Sequence, residues 1–206
     1  EYLRHFFYNG NCLAHPSVMI RREIYNEFGG YDNRFYQLPD LDFWIKICKK
    51  YEIFVMNKNV YKNRIRGNEN ASGLNEFSYQ RHYLEFYKIL YHYATIQSID
   101  DIYKIFPETK DIFHEANTDI IPIIVAYQAL NVKSISHTIF TYNIFFDYFG
   151  NNEGIKILEK YNINLKKFWF PPYPMISETL KISKELEATR NELEVTRNEL
   201  EVTRNE

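Results

Sequence analysis

The fold is decided by residues 22–61, which read REIYNEFGGYDNRFYQLPDLDFWIKICKKYEIFVMNKNVY. Apolar residues between positions 41 and 51 recur at the spacing of one helix face, which predicts a helix over residues 41–51. Residues 22–28 are expected to form a shorter helix that ends at Gly29 and Gly30, because glycine tolerates the left-handed conformation that closes helices. The stretch therefore predicts two helices in succession.

Short runs of β-type residues stand on both sides of these helices. Residues 17–20 precede the first helix, and residues 52–56 and 59–61 follow the second with a polar turn between them. Apolar, β-branched and aromatic residues bounded by turn residues are typical of strands. The alternation of helix and strand predicts an α/β unit over residues 1–74, which is too short to be a complete one.

Two further regions follow. Residues 75–176 are expected to form an all-α helical domain, and Ser98 with Asp101 resembles a capping box that opens a short helix ending before Pro107. Other helices are expected at residues 77–96, 119–130, 136–149 and 152–161. Residues 177–206 contain ELEATRN followed by two copies of ELEVTRN, and this period of seven predicts a coiled-coil-like helix that either self-associates or stays a solvated single helix.

The composition excludes some classes of function. The formal net charge is −2, from 25 basic and 27 acidic residues, so we expect no binding to nucleic acid. Cys12 and Cys48 form neither a metal-ligand pair nor a disulfide framework, which favours a reduced cytosolic setting. No apolar run is long enough to predict a transmembrane segment. The 17% aromatic residues suit helix packing and sugar-binding clefts equally well.

Three motifs stand in a fixed order in the first third of the chain. They are His15-Pro-Ser-Val-Met-Ile-Arg-Arg22, then Gly29-Gly-Tyr-Asp32 with Phe35 and Pro39-Asp-Leu-Asp-Phe-Trp44, then Tyr61-Lys-Asn-Arg-Ile-Arg66 with Asn68-Glu-Asn-Ala-Ser72. The ordered set resembles the acceptor-side, C-terminal half of family 2 glycosyltransferases. The resemblance implies a partial GT-A fold, which is a Rossmann-like half. Pro39 and Arg66 depart from the pattern, since the family commonly has Glu and His at these places.

The resemblance implies that Asp40 is the catalytic base of an inverting glycosyltransferase. In such a reaction an acceptor hydroxyl attacks the anomeric carbon of the donor sugar while the nucleoside diphosphate departs from the opposite face. A carboxylate that takes the hydroxyl proton accelerates such a step by roughly 10²–10⁴-fold. Contacts to the acceptor or the donor are expected from Asp42, Trp44, His15, Arg64 and Arg66.

Structural roles remain open for several of these residues. An aspartate in front of a helix is commonly an N-cap, so Asp40 can cap free backbone N–H groups instead of taking a proton. His15 can belong to a turn or to a buried hydrogen bond. Arg64 and Arg66 can be solvated charges at a strand edge, although a guanidinium at position 66 also suits the diphosphate.

The resemblance also implies partners and a cofactor. The donor is a nucleotide-sugar and the acceptor a glycan or another hydroxyl compound, as in polysaccharide biosynthesis. A divalent metal, Mg or Mn, is expected for the full-length enzyme, with ligands that are not in this chain. The isolated chain is therefore expected to be inactive. The expected location is cytoplasmic, including the periphery of the inner face of the membrane.

Two other classes of function fit the sequence. One is a non-catalytic scaffold in which the helical region and the heptad tail assemble with other chains and the GT-A remnant is inert. The other is a nucleotidyltransferase on the same fold, which depends on a basic phosphate-binding loop near its N-terminus. Replacement of Asp40 separates an enzyme from a scaffold.

Overall fold

The computed structural model describes residues 1–62, 76–150 and 152–163. Within these residues the regular secondary structure consists of α-helices and short 3-10 turns. The helices are α1 (Tyr2–Asn9), α2 (Arg22–Phe28), α3 (Pro39–Cys48), α4 (Glu76–Ala94), α5 (Ile99–Ile105), α6 (Ile121–Ala129), α7 (Ile135–Phe149) and α8 (Asn152–Lys160). The 3-10 turns are His15–Ser17, Pro107–Thr109 and Thr118–Ile120.

Helices α4, α6 and α7 pack against one another and form the centre of the fold. Helix α6 is apolar all round, and most of its side chains are buried, because it packs on both of the other two helices. Helix α1 adds Phe6 and Phe7 to the same core, and both are fully buried. The Phe7 ring packs edge-to-face on Tyr93 of α4 and on His137 of α7. The first residues of the chain are therefore part of the core.

Helix α3 joins this core to the segment that carries the sequence motifs. Helices α1 and α2 both pack on α3, and α3 packs on α4. Helix α2 ends where the sequence predicts, at Gly29, whose φ of 77° is left-handed. The predicted helix at residues 41–51 begins earlier, at Pro39, so Asp40 lies inside the first turn. Proline suits the first helical position because its fixed φ is helical and its missing N–H has no partner there.

The predicted α/β class is wrong for the described residues, which contain no strand and no sheet. Residues 52–56 and 59–61 are irregular, and residues 17–20 comprise the end of a 3-10 turn and an irregular segment. A strand is stable only when its backbone groups pair with a neighbouring strand, and no such pairing occurs among the described residues. Most of the apolar side chains of the expected strands are consequently exposed, with Met19 at 100% and Phe54 at 88%.

The helices expected in the second region are confirmed, with small shifts at their ends. Ser98 caps α5, since its side-chain oxygen accepts the Asp101 N–H at 3.2 Å. Residues Glu1–Ile157 form one compact unit and Leu158–Glu206 a second. The boundaries expected after residues 74 and 176, and the heptads of residues 177–206, lie outside the described residues. No helix of the described residues is long and apolar enough to cross a membrane.

Candidate functional site

Asp40 lies in the first turn of α3 with a partly exposed carboxylate. Its Oδ2 accepts a hydrogen bond from the side-chain amide of Asn11 at 2.7 Å, and its Oδ1 accepts the backbone N–H of Leu41 at 2.9 Å. The Asn11 Oδ1 accepts the Leu13 N–H at 3.0 Å, which fixes the orientation of the amide. Asp40 is thus an oriented carboxylate that water can reach.

Tyr31 lies near enough to Asp40 to be influenced by its charge, and His15 is hydrogen-bonded to Tyr31. We call Asn11, His15, Tyr31 and Asp40 the Asp40 cluster. The Tyr31 hydroxyl and the His15 Nδ1 are 2.8 Å apart and share a hydrogen bond. Burial raises the pKa of Tyr31 above its usual range, and a hydrogen bond with Tyr25 and the charge of Asp40 add to the increase. Tyr31 is therefore a neutral phenol at physiological pH. If it donates to Nδ1, the proton of a neutral His15 ring is on Nε2.

Asp42 has a different environment, although it is only two residues from Asp40. Asp42 is 1% exposed, and each of its two carboxylate oxygens has a hydrogen-bond partner. Oδ1 is 2.6 Å from the Nε2 of His92 on α4, and Oδ2 accepts the ammonium group of Lys46 at 2.6 Å. Burial pushes the pKa of Asp42 up, but the hydrogen bonds from His92 and Lys46 outweigh it, and the net pKa is lowered. Asp42 thus connects α3 to α4.

Trp44 is one turn beyond Asp40 and is buried, at 3% exposure. Its ring contacts Tyr31 edge-to-face with 6.4 Å between the ring centroids. The indole N–H of Trp44 has no hydrogen-bond partner among the described residues. The tryptophan therefore lies beneath Tyr31 in the core and presents no open face to solvent.

Glu85 on α4 is a buried carboxylate that the sequence reasoning missed. It is 7% exposed and accepts the backbone N–H groups of Tyr36, Gln37 and Leu38, each at 2.8 Å. These residues directly precede Pro39 and Asp40. His92, which holds Asp42, was missed as well. Glu85 and His92 share a signal in the sequence, because they lie at helical spacing on the same face of α4 as Ile89. A carboxylate on a buried face needs hydrogen-bond partners.

The remaining features expected of a site either lie away from Asp40 or belong to residues that the structure does not describe. Arg64 and Arg66 belong to the residues that the structure does not describe. An open groove of about 800 Å³ is lined by residues at the opposite end of α3, among them Cys48, Lys49 and Tyr51, and Asp40 is not in its lining. Within the described residues, no three His, Cys, Asp or Glu side chains are grouped so that they can hold a metal ion.

The geometry permits proton transfer at one carboxylate and assigns a structural role to its neighbour. No family model, no curated protein and no solved structure matches the chain. The Asp40 cluster and the motifs that contain its members are therefore the features of the chain that point to a function.

Proposed function

We propose that the chain carries the acceptor-side part of the active site of an inverting glycosyltransferase, with Asp40 as the general base. The observation that supports this proposal is the contrast between the two aspartates of the Asp40-Leu-Asp42 motif. Asp40 is partly exposed and is oriented by the Asn11 amide. Asp42 is buried and both its oxygens are engaged. Only the first of the two can meet a hydroxyl group that arrives from solvent.

In the proposed step, the oxygen of the acceptor hydroxyl forms a bond to the anomeric carbon of the donor sugar. The bond from that carbon to the diphosphate oxygen breaks, and its electron pair leaves with the diphosphate. The hydroxyl proton moves to the Asp40 carboxylate. Proton removal of this kind contributes roughly 10²–10⁴-fold to a rate when the base is well placed. Asn11 has the role of keeping the receiving oxygen in place.

His15 and Tyr31 are the members of the Asp40 cluster that suit contact with an acceptor. A sugar hydroxyl bonds well to neutral donors and acceptors, and its ring carbons pack on aromatic faces. The neutral Tyr31 and the exposed His15 supply both kinds of group. The proposed acceptor is a glycan or a related hydroxyl compound.

The donor is proposed to be a nucleotide-sugar, bound together with Mg or Mn by residues outside this chain. A metal in that position supplies charge neutralisation for the departing diphosphate, and no step assigned here to Asp40 requires it. Arg64 and Arg66 are proposed to face the diphosphate. The proposed location is the cytoplasm or the inner face of the membrane, and the heptads of residues 177–206 are proposed to self-associate.

The replacement Asp40→Asn tests the function in the full-length protein. We expect the rate of sugar transfer to fall by about 10²–10⁴-fold, because the amide cannot take the proton. The measurement is nucleoside diphosphate release from a panel of nucleotide-sugars with glycan acceptors. Asp101→Asn is the matched control, since Asp101 is exposed and pairs with Lys104 at 2.7 Å. Equal rates in wild type and Asp40→Asn contradict the proposal.

A non-catalytic scaffold is the second candidate, and exposed apolar side chains favour it. Met19, Phe54, Val55 and Met56 are between 55% and 100% exposed, and partner chains commonly cover such residues. Asp40→Asn leaves partner binding unchanged for either function. Only an enzyme loses sugar transfer in this variant, because a scaffold has no such activity to lose. The same variant therefore separates the two functions.

A further inference from the structure

Glu85 binds the backbone that leads into the Asp40 turn. Its Oε1 accepts the Tyr36 N–H, and its Oε2 accepts both the Gln37 and the Leu38 N–H, all at 2.8 Å. Glu85 follows Leu38 by 47 positions in the sequence, so this contact is made by the tertiary fold. A carboxylate that receives three backbone N–H bonds is held firmly, and it holds the three peptide groups in return.

The position of these three peptides determines where α3 begins. The first N–H groups of a helix, and those just before it, have no partner within the helix. Here the side chain of Leu38, the residue that precedes the helix, cannot cap it, and among the first N–H groups of the helix that of Leu41 bonds to the Asp40 carboxylate. Glu85 supplies, from α4, the acceptor for the three N–H groups that lie just before the helix. Asp40 follows Leu38 by two residues.

A second contact from the same helix fixes the other side of the turn. His92 lies seven residues after Glu85 on α4, which is about two helical turns, and its Nε2 meets the Asp42 carboxylate at 2.6 Å. Glu85 thus binds the backbone before Asp40, and His92 binds the side chain after it. A shift of α3 along α4 breaks both contacts. The position of the Asp40 carboxylate relative to Asn11 depends on this arrangement.

We infer that Glu85 is a positioning residue for Asp40, so that the helical region takes part in the chemistry by holding the base in place. The catalytic part of this inference rests on the proposed function, and the geometric part does not. Glu85 touches no reacting atom in this scheme. It acts through the backbone of residues 36–38.

The geometric part is tested by Glu85→Gln in the 206-residue chain. Glutamine keeps the size of the side chain but replaces one accepting oxygen with an NH₂ group that faces backbone donors. We expect hydrogen exchange of the Tyr36, Gln37 and Leu38 amides to become at least tenfold faster. We also expect the ¹³C signal of the Asp40 carboxyl carbon to shift. The matched control is Glu108→Gln, because Glu108 also links distant segments, through Arg4 and Tyr8, and these bonds do not involve α3 or residues 36–38.

The control should leave the exchange of these amides and the Asp40 signal unchanged. Unchanged exchange and an unchanged Asp40 signal in Glu85→Gln overturn the inference. If Glu85→Gln does not fold, Glu85→Asp replaces it. This variant keeps the charge but is one methylene shorter, and it should show the same changes to a smaller extent.

The catalytic part is tested by kinetics in the full-length protein. We expect Glu85→Gln to lower kcat at least tenfold while the KM for the nucleotide-sugar changes less than twofold, since the base is misplaced and the donor site is not. Glu85→Asp should recover part of kcat, and Glu108→Gln should keep the wild-type value. Wild-type kcat in Glu85→Gln overturns the catalytic part. If Asp40→Asn also transfers sugar at the wild-type rate, the proposed function fails instead, and the exchange and ¹³C results still decide the geometric part.

Discussion

Asp40 and Asp42 show how two identical side chains acquire different environments from their place on a helix. Successive residues of an α-helix are about 100° apart, so positions i and i+2 point to nearly opposite sides. Asp40 is on the accessible side with Asn11, and Asp42 is on the side that packs on α4 with His92. The two-residue spacing in the sequence predicts that the two side chains point in different directions. It does not predict which aspartate is buried, because that depends on α4.

The ion pair of Asp42 should contribute to stability above acidic pH. In the fold, the pKa of Asp42 is below its ordinary value of 3.8. The stability that the ion pair contributes is therefore fully present above pH 3.8, and it is lost as the pH falls through the folded pKa. At pH 7 we expect Asp42→Asn to lower the free energy of unfolding by about 2 kcal/mol, the usual size for a buried hydrogen bond to a charged group. Urea denaturation measures this difference.

The matched control for Asp42→Asn is Asp101→Asn, whose pair with Lys104 is exposed on both sides. We expect a change below about 0.5 kcal/mol there, as for most surface substitutions. The difference between wild type and Asp42→Asn should narrow as the pH is lowered beneath 3.8. An Asp42 variant as stable at pH 7 as the control contradicts the structural role of Asp42.

At the scale of single elements, the sequence predicts features that depend on neighbouring residues and fails for those that depend on distant ones. The ends of α2 and α5 are set by neighbouring residues, Gly29 and Ser98, and both were predictable. The strands expected at residues 52–56 and 59–61 need pairing partners, and local propensity does not supply them. Helix α1 was not predicted at all, although Leu3, Phe6 and Phe7 have the spacing of a helix face.

Gly29 and Gly150 follow two helices in different backbone conformations. Gly29 has a φ of 77° and Gly150 a φ of −67°. A Cβ at Gly29 meets no atom within 4 Å, so any cost of alanine there comes from the backbone alone. We expect Gly29→Ala to destabilise the protein by about 1 kcal/mol, the cost of a left-handed non-glycine residue. Thermal unfolding measures it.

The Gly150→Ala variant is the control for that experiment. Its Cβ approaches the Asp147 carbonyl at 3.4 Å, which is an ordinary contact, and its φ is allowed for alanine. We expect no loss of stability, or a small gain because alanine restricts the unfolded chain. If the two variants have the same stability, the left-handed end of α2 is not the source of the effect.

For the whole molecule, the sequence predicts the helical content of the second region but not how the motif segment joins it. The junction is made by side chains that are far apart in the chain. Glu85 and His92 bind the α3 turn, and the Tyr93 hydroxyl donates to the Leu3 carbonyl at 2.7 Å. The hydrophobic pattern shows that these helices have buried faces. It does not show which faces meet, so the positions of the site residues could not be derived from it.

His137 joins α7 to the Phe7 carbonyl of α1 and should make the stability of the fold sensitive to pH. It is 2% exposed, its Nε2 is 2.7 Å from the Phe7 carbonyl oxygen, and its Nδ1 has no partner among the described residues. Burial lowers the pKa of His137 to about 4. An unfolded histidine has a pKa of about 6.5, so the unfolded chain binds the extra proton between these values. The neutral ring therefore stabilises the fold fully above pH 6.5, and this advantage is lost as the pH falls towards 4.

Between pH 7 and pH 5 this single group should lower the free energy of unfolding by about 2 kcal/mol. His82, whose pKa is also lowered by burial, acts in the same direction, so the total pH dependence does not isolate His137. The His137→Gln variant does, because glutamine keeps an N–H donor for the Phe7 carbonyl and does not titrate. Urea denaturation at the two pH values should show a smaller loss in this variant by about that amount. The exposed His114 gives the control, and His114→Gln should keep the wild-type loss. If His137→Gln loses as much unfolding free energy between pH 7 and pH 5 as the wild type, His137 is not the source of the pH dependence. The junction of α1 and α7 would then stay intact when the imidazole is protonated.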